Sequence, residues 1–106
     1  MTNIIFAEKL FKIKSELDEI INFLQHLIAA IDCGELKLKF GICPLYAMRV
    51  YKIQLSRFQN FRQKLLHHNL DIVQLHIDFE WQRVSHEIRM FMTDELYVCW
   101  SSILKK

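Results

Sequence analysis

Proline occurs once in this chain, at Pro44, and glycine only twice, at Gly34 and Gly41. Turns between strands are built largely from these two residues together with Asn and Asp. A chain so short of them excludes a many-stranded sheet and favours a few long helices. The scarcity of glycine also excludes a phosphate-cradling loop and the Gly-x-Ser-x-Gly nucleophile elbow. The three cysteines, Cys33, Cys43 and Cys99, are odd in number and show no C-x-x-C spacing. That excludes a paired-ligand zinc site and argues against a secreted disulfide scaffold, so the expected compartment is reducing and cytoplasmic. Cys99, beside Trp100, reads as a core residue and not as a nucleophile. No apolar run reaches the roughly 18 residues that a membrane span requires. Glu8 precedes any sustained apolar stretch in Met1–Leu10, so no secretory leader is expected.

Acids are missing from one long stretch. Between Leu36 and Leu70 there is no Asp or Glu, but there are seven cations: Lys37, Lys39, Arg49, Lys52, Arg57, Arg62 and Lys64. All twelve acids flank that segment. The net charge is nevertheless only +2, less than the strongly basic balance of a dedicated nucleic-acid binder.

What is present suits one helical domain over residues 1–106. The chain is 52% hydrophobic, carries eight Phe and is 25% charged, enough apolar material to offset the ordering entropy of a chain this size. Phe6, Leu10, Ile13, Leu17, Ile20, Leu24, Leu27 and Ile31 are separated alternately by four and three residues. This is a heptad seam, which predicts a first helix that packs in coiled-coil fashion. Ile21 and Ile28 widen the seam to one side, so two neighbours are expected. Thr2 or Asn3 is expected to cap this helix, and Gly34 to end it in a left-handed conformation.

Leu36, Leu38 and Phe40 alternate with Lys37 and Lys39. No partner strand exists for them, so they read as an extended loop that tucks its apolar side onto the bundle and ends at Pro44 in the first turn of a second helix. That helix, over Leu45 to about His68, carries Ala47, Tyr51, Leu55, Phe58, Leu65 and Leu66 on one side. Asn69 is expected to end it, and Asp71 to help start a third. The third helix shows Val73, Ile77, Trp81, Val84, Ile88 and Phe91 on one face. Thr93, Asp94 and Glu95 look like a fresh N-terminus, which would make Leu96–Leu104 a short fourth helix. The expected fold is all-α, an antiparallel three-helix bundle with or without that fourth piece.

On the second helix Arg49, Lys52, Arg57 and Lys64 fall within one arc, interleaved with Gln59, Asn60 and Gln63. Such an arc meets an acidic protein, the phosphates of a nucleic acid, or only solvent. Arg62 falls on the apolar side instead, where a buried guanidinium must be paired; Asp78, Glu80 or an acid of the first helix are the candidates. The five histidines include His67 and His76, each one helical turn ahead of an acid (Asp71, Glu80). No Glu-x-x-His pair or HxxxH spacing accompanies them, so no metal or cofactor is expected.

Arg62 and His67 also stand in the R-x4-H spacing, and over these six residues the chain resembles the HEPN superfamily of small helical ribonucleases. The resemblance implies that Arg62 would steady a phosphate while His67 handled a proton. Gln63 follows the arginine where that family commonly has Asn, Asp or His, and the motif closes the second helix instead of opening a late one.

Apolar residues outside the main seams, among them Phe11, Phe23, Phe40, Ile42, Tyr97 and Trp100, suggest a surface that a three-helix core does not cover. The functional expectation is a non-enzymatic interaction protein: an adaptor, chaperone-like factor or regulator that binds a protein partner by helix packing and self-associates. A nucleic-acid-binding module using the second helix is the alternative, ahead of a ribonuclease.

Overall fold

The computed structural model describes residues 2–67 and 69–92. Three helices make up the described chain: α1 over Thr2–Asp32, α2 over Pro44–Gln63 and α3 over Leu70–Phe91, with a 3-10 turn at Leu65–His67 between the last two. The described residues contain no strand. The expected fourth helix, with Thr93, Tyr97, Cys99 and Trp100, lies outside the described residues.

The heptad spacing of α1 becomes its buried face. Ile13, Leu17, Ile20, Leu24, Leu27 and Ile31 are all buried, three of them completely. Leu10 is half-buried against the core, but Phe6 is 50% exposed. Length explains the difference: α1 has 31 residues against 20 in α2 and 22 in α3. Ion pairs mark the register. Lys9 meets Asp71 near the start of α3 (3.1 Å), and Asp18 meets Arg62 near the end of α2 (2.6 Å). The first turns of α1 therefore run past both neighbours, leaving Ile4, Ile5 and Phe6 exposed, while Phe11 is exposed because it lies off the seam. Thr2 and Asn3, expected to cap α1, lie within its first turn.

Cross-helix contacts give the direction of each element. Lys9 with Asp71, Glu16 with Gln74 and Phe23 with Trp81 rise together in number, so α1 and α3 run parallel. Tyr51 with Phe91, Gln54 with Glu87 and Phe61 with His76 run in opposite order, so α2 is antiparallel to α3. The result is an up-down-up bundle in which α1 packs more closely on α2 than on α3, drawn out to 53 × 23 × 21 Å. Phe23, expected off the seam, is 2% exposed. It lies on the flank of α1 that faces α3, where its ring meets Trp81 edge-on at 5.8 Å. Ile21, one turn beyond Asp18, widens the other flank, toward α2.

The ends follow local chemistry. Gly34 takes φ 81° after α1, and the Leu36 N–H turns back to the Ala30 carbonyl at 3.1 Å. Leu36 is buried and Leu38 half-buried, as an inward-tucked loop requires. Phe40 departs from that pattern and stands fully in solvent. A turn closed by Ile42 N–H on the Lys39 carbonyl, with Gly41 at φ 87°, breaks the alternation just there. The Lys39 N–H donates to the Phe91 carbonyl (2.9 Å) and fastens the loop to the end of α3. Pro44 opens α2 with Cys43 extended before it. Regular helix stops at Gln63, short of the expected end near His68, and Leu66 in the following turn is exposed where a core position was expected. Asn69 caps α3: its Oδ1 accepts from the N–H groups of Asp71 and Ile72 at 2.9 and 3.4 Å.

Candidate functional site

The buried face of α2 is formed by Ala47, Met48, Tyr51, Gln54 and Phe58, so everything a quarter-turn or more away is offered to solvent. Arg49, Lys52, Arg57 and Lys64 are all exposed, and none forms an ion pair among the described residues. They line two different hollows. Arg49 and Lys52 line an open groove along the first half of α2 with Leu45, Tyr46 and Ile53. Arg57 and Lys64 line a separate cleft of about 430 Å³ between the second half of α2 and α3.

The groove is both apolar and cationic. Leu45, Tyr46 and Ile53 are 76%, 58% and 51% exposed, large apolar side chains left uncovered beside two cations that have no ion pair among the described residues. Tyr46 is steadied by an edge-on contact with Phe91 at 5.8 Å. Leaving such side chains half or more in water forgoes part of the roughly 1.5–3 kcal/mol that full burial of a large apolar side chain is worth.

The cleft has an apolar floor of Phe58 and Ile77, both buried. Phe61 stacks on His76 across it, with ring centroids 5.1 Å apart and planes 19° off parallel. Asn60 and Arg57 come from α2, Lys64 from the cap at its end, and Glu80 from α3. A hydrogen bond from Arg83 holds the Glu80 carboxyl below its ordinary range, with Arg83, His76 and Arg57 adding their charge against the opposing effect of partial burial. Glu80 is therefore an anion that already has a partner.

That partner, Arg83, ties α3 to α2. Its guanidinium reaches Glu80 at 2.7 Å, Glu87 at 2.9 Å and the Gln54 side-chain oxygen at 2.8 Å, while the Gln54 amide donates to Glu87 at 3.2 Å. Gln54, only 4% exposed, is thus satisfied on both ends. Sequence reasoning had not singled out Gln54 or Arg83. The spacings Glu80–Arg83 and Arg83–Glu87, three and four apart on one helix, were the available signal. The outer stripe of α3 was missed as well: Ile72, Leu75 and Phe79 follow helical spacing and are 65%, 70% and 66% exposed.

Arg62 takes the first-helix option left open by the sequence, with its Nε and Nη2 on the two oxygens of Asp18 at 2.6 and 3.3 Å. Asp18 holds the Arg62 charge in place, first by that hydrogen bond and then by proximity. The pair is not buried as expected, since the two side chains are 38% and 51% exposed. A helical wheel gives direction but not depth, and Arg62 sits near the end of α2 where the bundle is open. His67 lies beyond the end of α2, exposed, in the 3-10 turn. The R-x4-H pair is thus split between two elements, and its arginine already grips a carboxylate.

His76 and Glu80 both line the cleft, but no group of three or more His, Cys, Asp or Glu among the described residues could hold a metal ion. Cys33 and Cys43 are free and exposed. No described helix is long and apolar enough to cross a membrane. No protein-family model matches the chain, no curated protein matches its sequence, and no solved structure matches its fold.

Proposed function

We propose that this chain is a non-enzymatic helical interaction protein, an adaptor or regulator, whose docking surface is the groove along the first half of α2. The reading rests on one observation: Arg49 and Lys52, without ion pairs among the described residues, stand among the uncovered Leu45, Tyr46 and Ile53. An amphipathic acidic segment fits that mixture, with apolar anchors for affinity and charge for steering its approach. The double reversal Arg49→Glu with Lys52→Glu should abolish capture of the partner while leaving helical circular dichroism unchanged. Capture that survives the reversal would sink the reading. A bound fraction that absorbs as nucleic acid and weakens steeply with salt would replace the protein partner with phosphates.

The outer stripe of α3 supports self-association as part of the same reading. Three large apolar side chains spaced along one exposed face form the sort of patch that marks an interaction site. Sedimentation equilibrium at micromolar concentration should give a mass above that of one chain, and Leu75→Glu should return it to 12.8 kDa. A wild-type chain that sediments as a monomer would remove self-association from the proposal.

A further inference from the structure

We propose that the cleft between α2 and α3 binds a nucleoside monophosphate. The inference does not depend on the docking groove, since it concerns the other half of α2. Its volume of about 430 Å³ falls within the roughly 300–1,000 Å³ of small-molecule sites. Its chemistry divides into three parts that match the parts of such a ligand. Arg57 on α2 and Lys64 at its C-cap, seven residues apart and without ion pairs among the described residues, supply cations for a phosphate. His76, exposed and backed by Phe61 at 5.1 Å, supplies a fixed ring on which a planar base can stack. Glu80, held as a carboxylate by Arg83, can accept from ribose hydroxyls, and Asn60 can donate or accept from the α2 side.

Other occupants use less of this arrangement. Inorganic phosphate would leave the stacked rings and apolar floor unused, and an apolar ligand would leave two cations unanswered. A nucleic-acid strand needs a continuous cationic track, whereas Arg49 and Lys52 open onto a different groove. Glu80, on the α3 wall, already places one negative charge in the cleft, which favours one phosphate over three.

The test is a nuclear magnetic resonance titration of the full chain with adenosine monophosphate, run beside adenosine alone and inorganic phosphate alone. The expected result is saturable one-to-one binding at about millimolar or tighter, with the largest shifts at Phe61 and His76, and with each half-ligand binding more weakly than the whole. Arg57→Ala with Lys64→Ala should weaken binding by about tenfold or more, as loss of hydrogen bonds to a charged group does. Arg49→Ala with Lys52→Ala should leave it unchanged, so failure here and failure of the docking surface are told apart. Phe61→Leu, which keeps an apolar side chain against the core, should also weaken it. Shifts that never saturate, phosphate binding as tightly as the nucleotide, or affinity indifferent to Arg57 and Lys64 would each overturn the assignment.

Discussion

At the scale of single residues, Tyr51 carries an uncompensated burden. Its side chain is fully buried, and its hydroxyl has no hydrogen-bond partner among the described residues. Burial, reinforced by the charge of Glu87, pushes its pKa well above the ordinary value. Tyr51→Phe keeps the ring that meets Phe91 at 5.7 Å and removes the stranded hydroxyl. It should raise unfolding free energy by about 1–3 kcal/mol in denaturant titrations. The sign of the alkaline behaviour follows from the raised value. Folding favours the neutral phenol, so its contribution is intact below the unfolded value near 10 and declines as pH rises beyond it. The phenylalanine variant should lose less stability above that pH than the parent. Arg62 makes the opposite point. Because its pair with Asp18 is open to water, Arg62→Ala should cost no more than about 1 kcal/mol, against the roughly 3–5 kcal/mol of breaking a buried pair.

At the scale of elements, the seam of α1 divides into a packed length and an overhang. Leu17→Ala and Leu24→Ala, at fully buried positions, should each cost about 2–5 kcal/mol. Phe11→Ala, at a position 73% exposed, should shift stability by no more than about 0.5 kcal/mol. On α3, Glu80→Gln tests the tie to Arg83. A carboxyl whose folded value is depressed contributes above the unfolded value near 4.3 and loses that contribution as pH falls through the folded one. Acid unfolding monitored by circular dichroism should therefore be less steep in the variant. Much of this was legible in spacing: the seam, the faces of α2 and α3, the stop at Gly34 and the start at Pro44 all follow from periodicity and backbone chemistry. Phe23 was not, because it belongs to a second stripe that acquires a neighbour only when α3 returns beside α1. The exposure of the four α2 cations was equally legible. Their separation into groove and cleft was not, because it depends on where α3 comes alongside α2.

At the scale of the molecule, closer packing of α1 on α2 than on α3 implies unequal resistance to opening. Native-state hydrogen exchange should find the slowest amides in α1 and α2 around Leu17, Leu24 and Tyr51. Those of α3 should exchange through a partial opening that costs less than global unfolding. Uniform protection across the three helices would contradict that hierarchy. The parallel run of α1 and α3 has a consequence during synthesis. Joining Lys9 to Asp71 and Glu16 to Gln74 requires chain from well over fifty positions downstream, whereas α1 and α2 are joined by a short loop. Translation proceeds at about 5–20 residues per second, so α3 follows the first two helices by about one to a few seconds. Throughout that interval the nascent hairpin shows the Phe23 flank of its core to the ribosome exit and to whatever waits there.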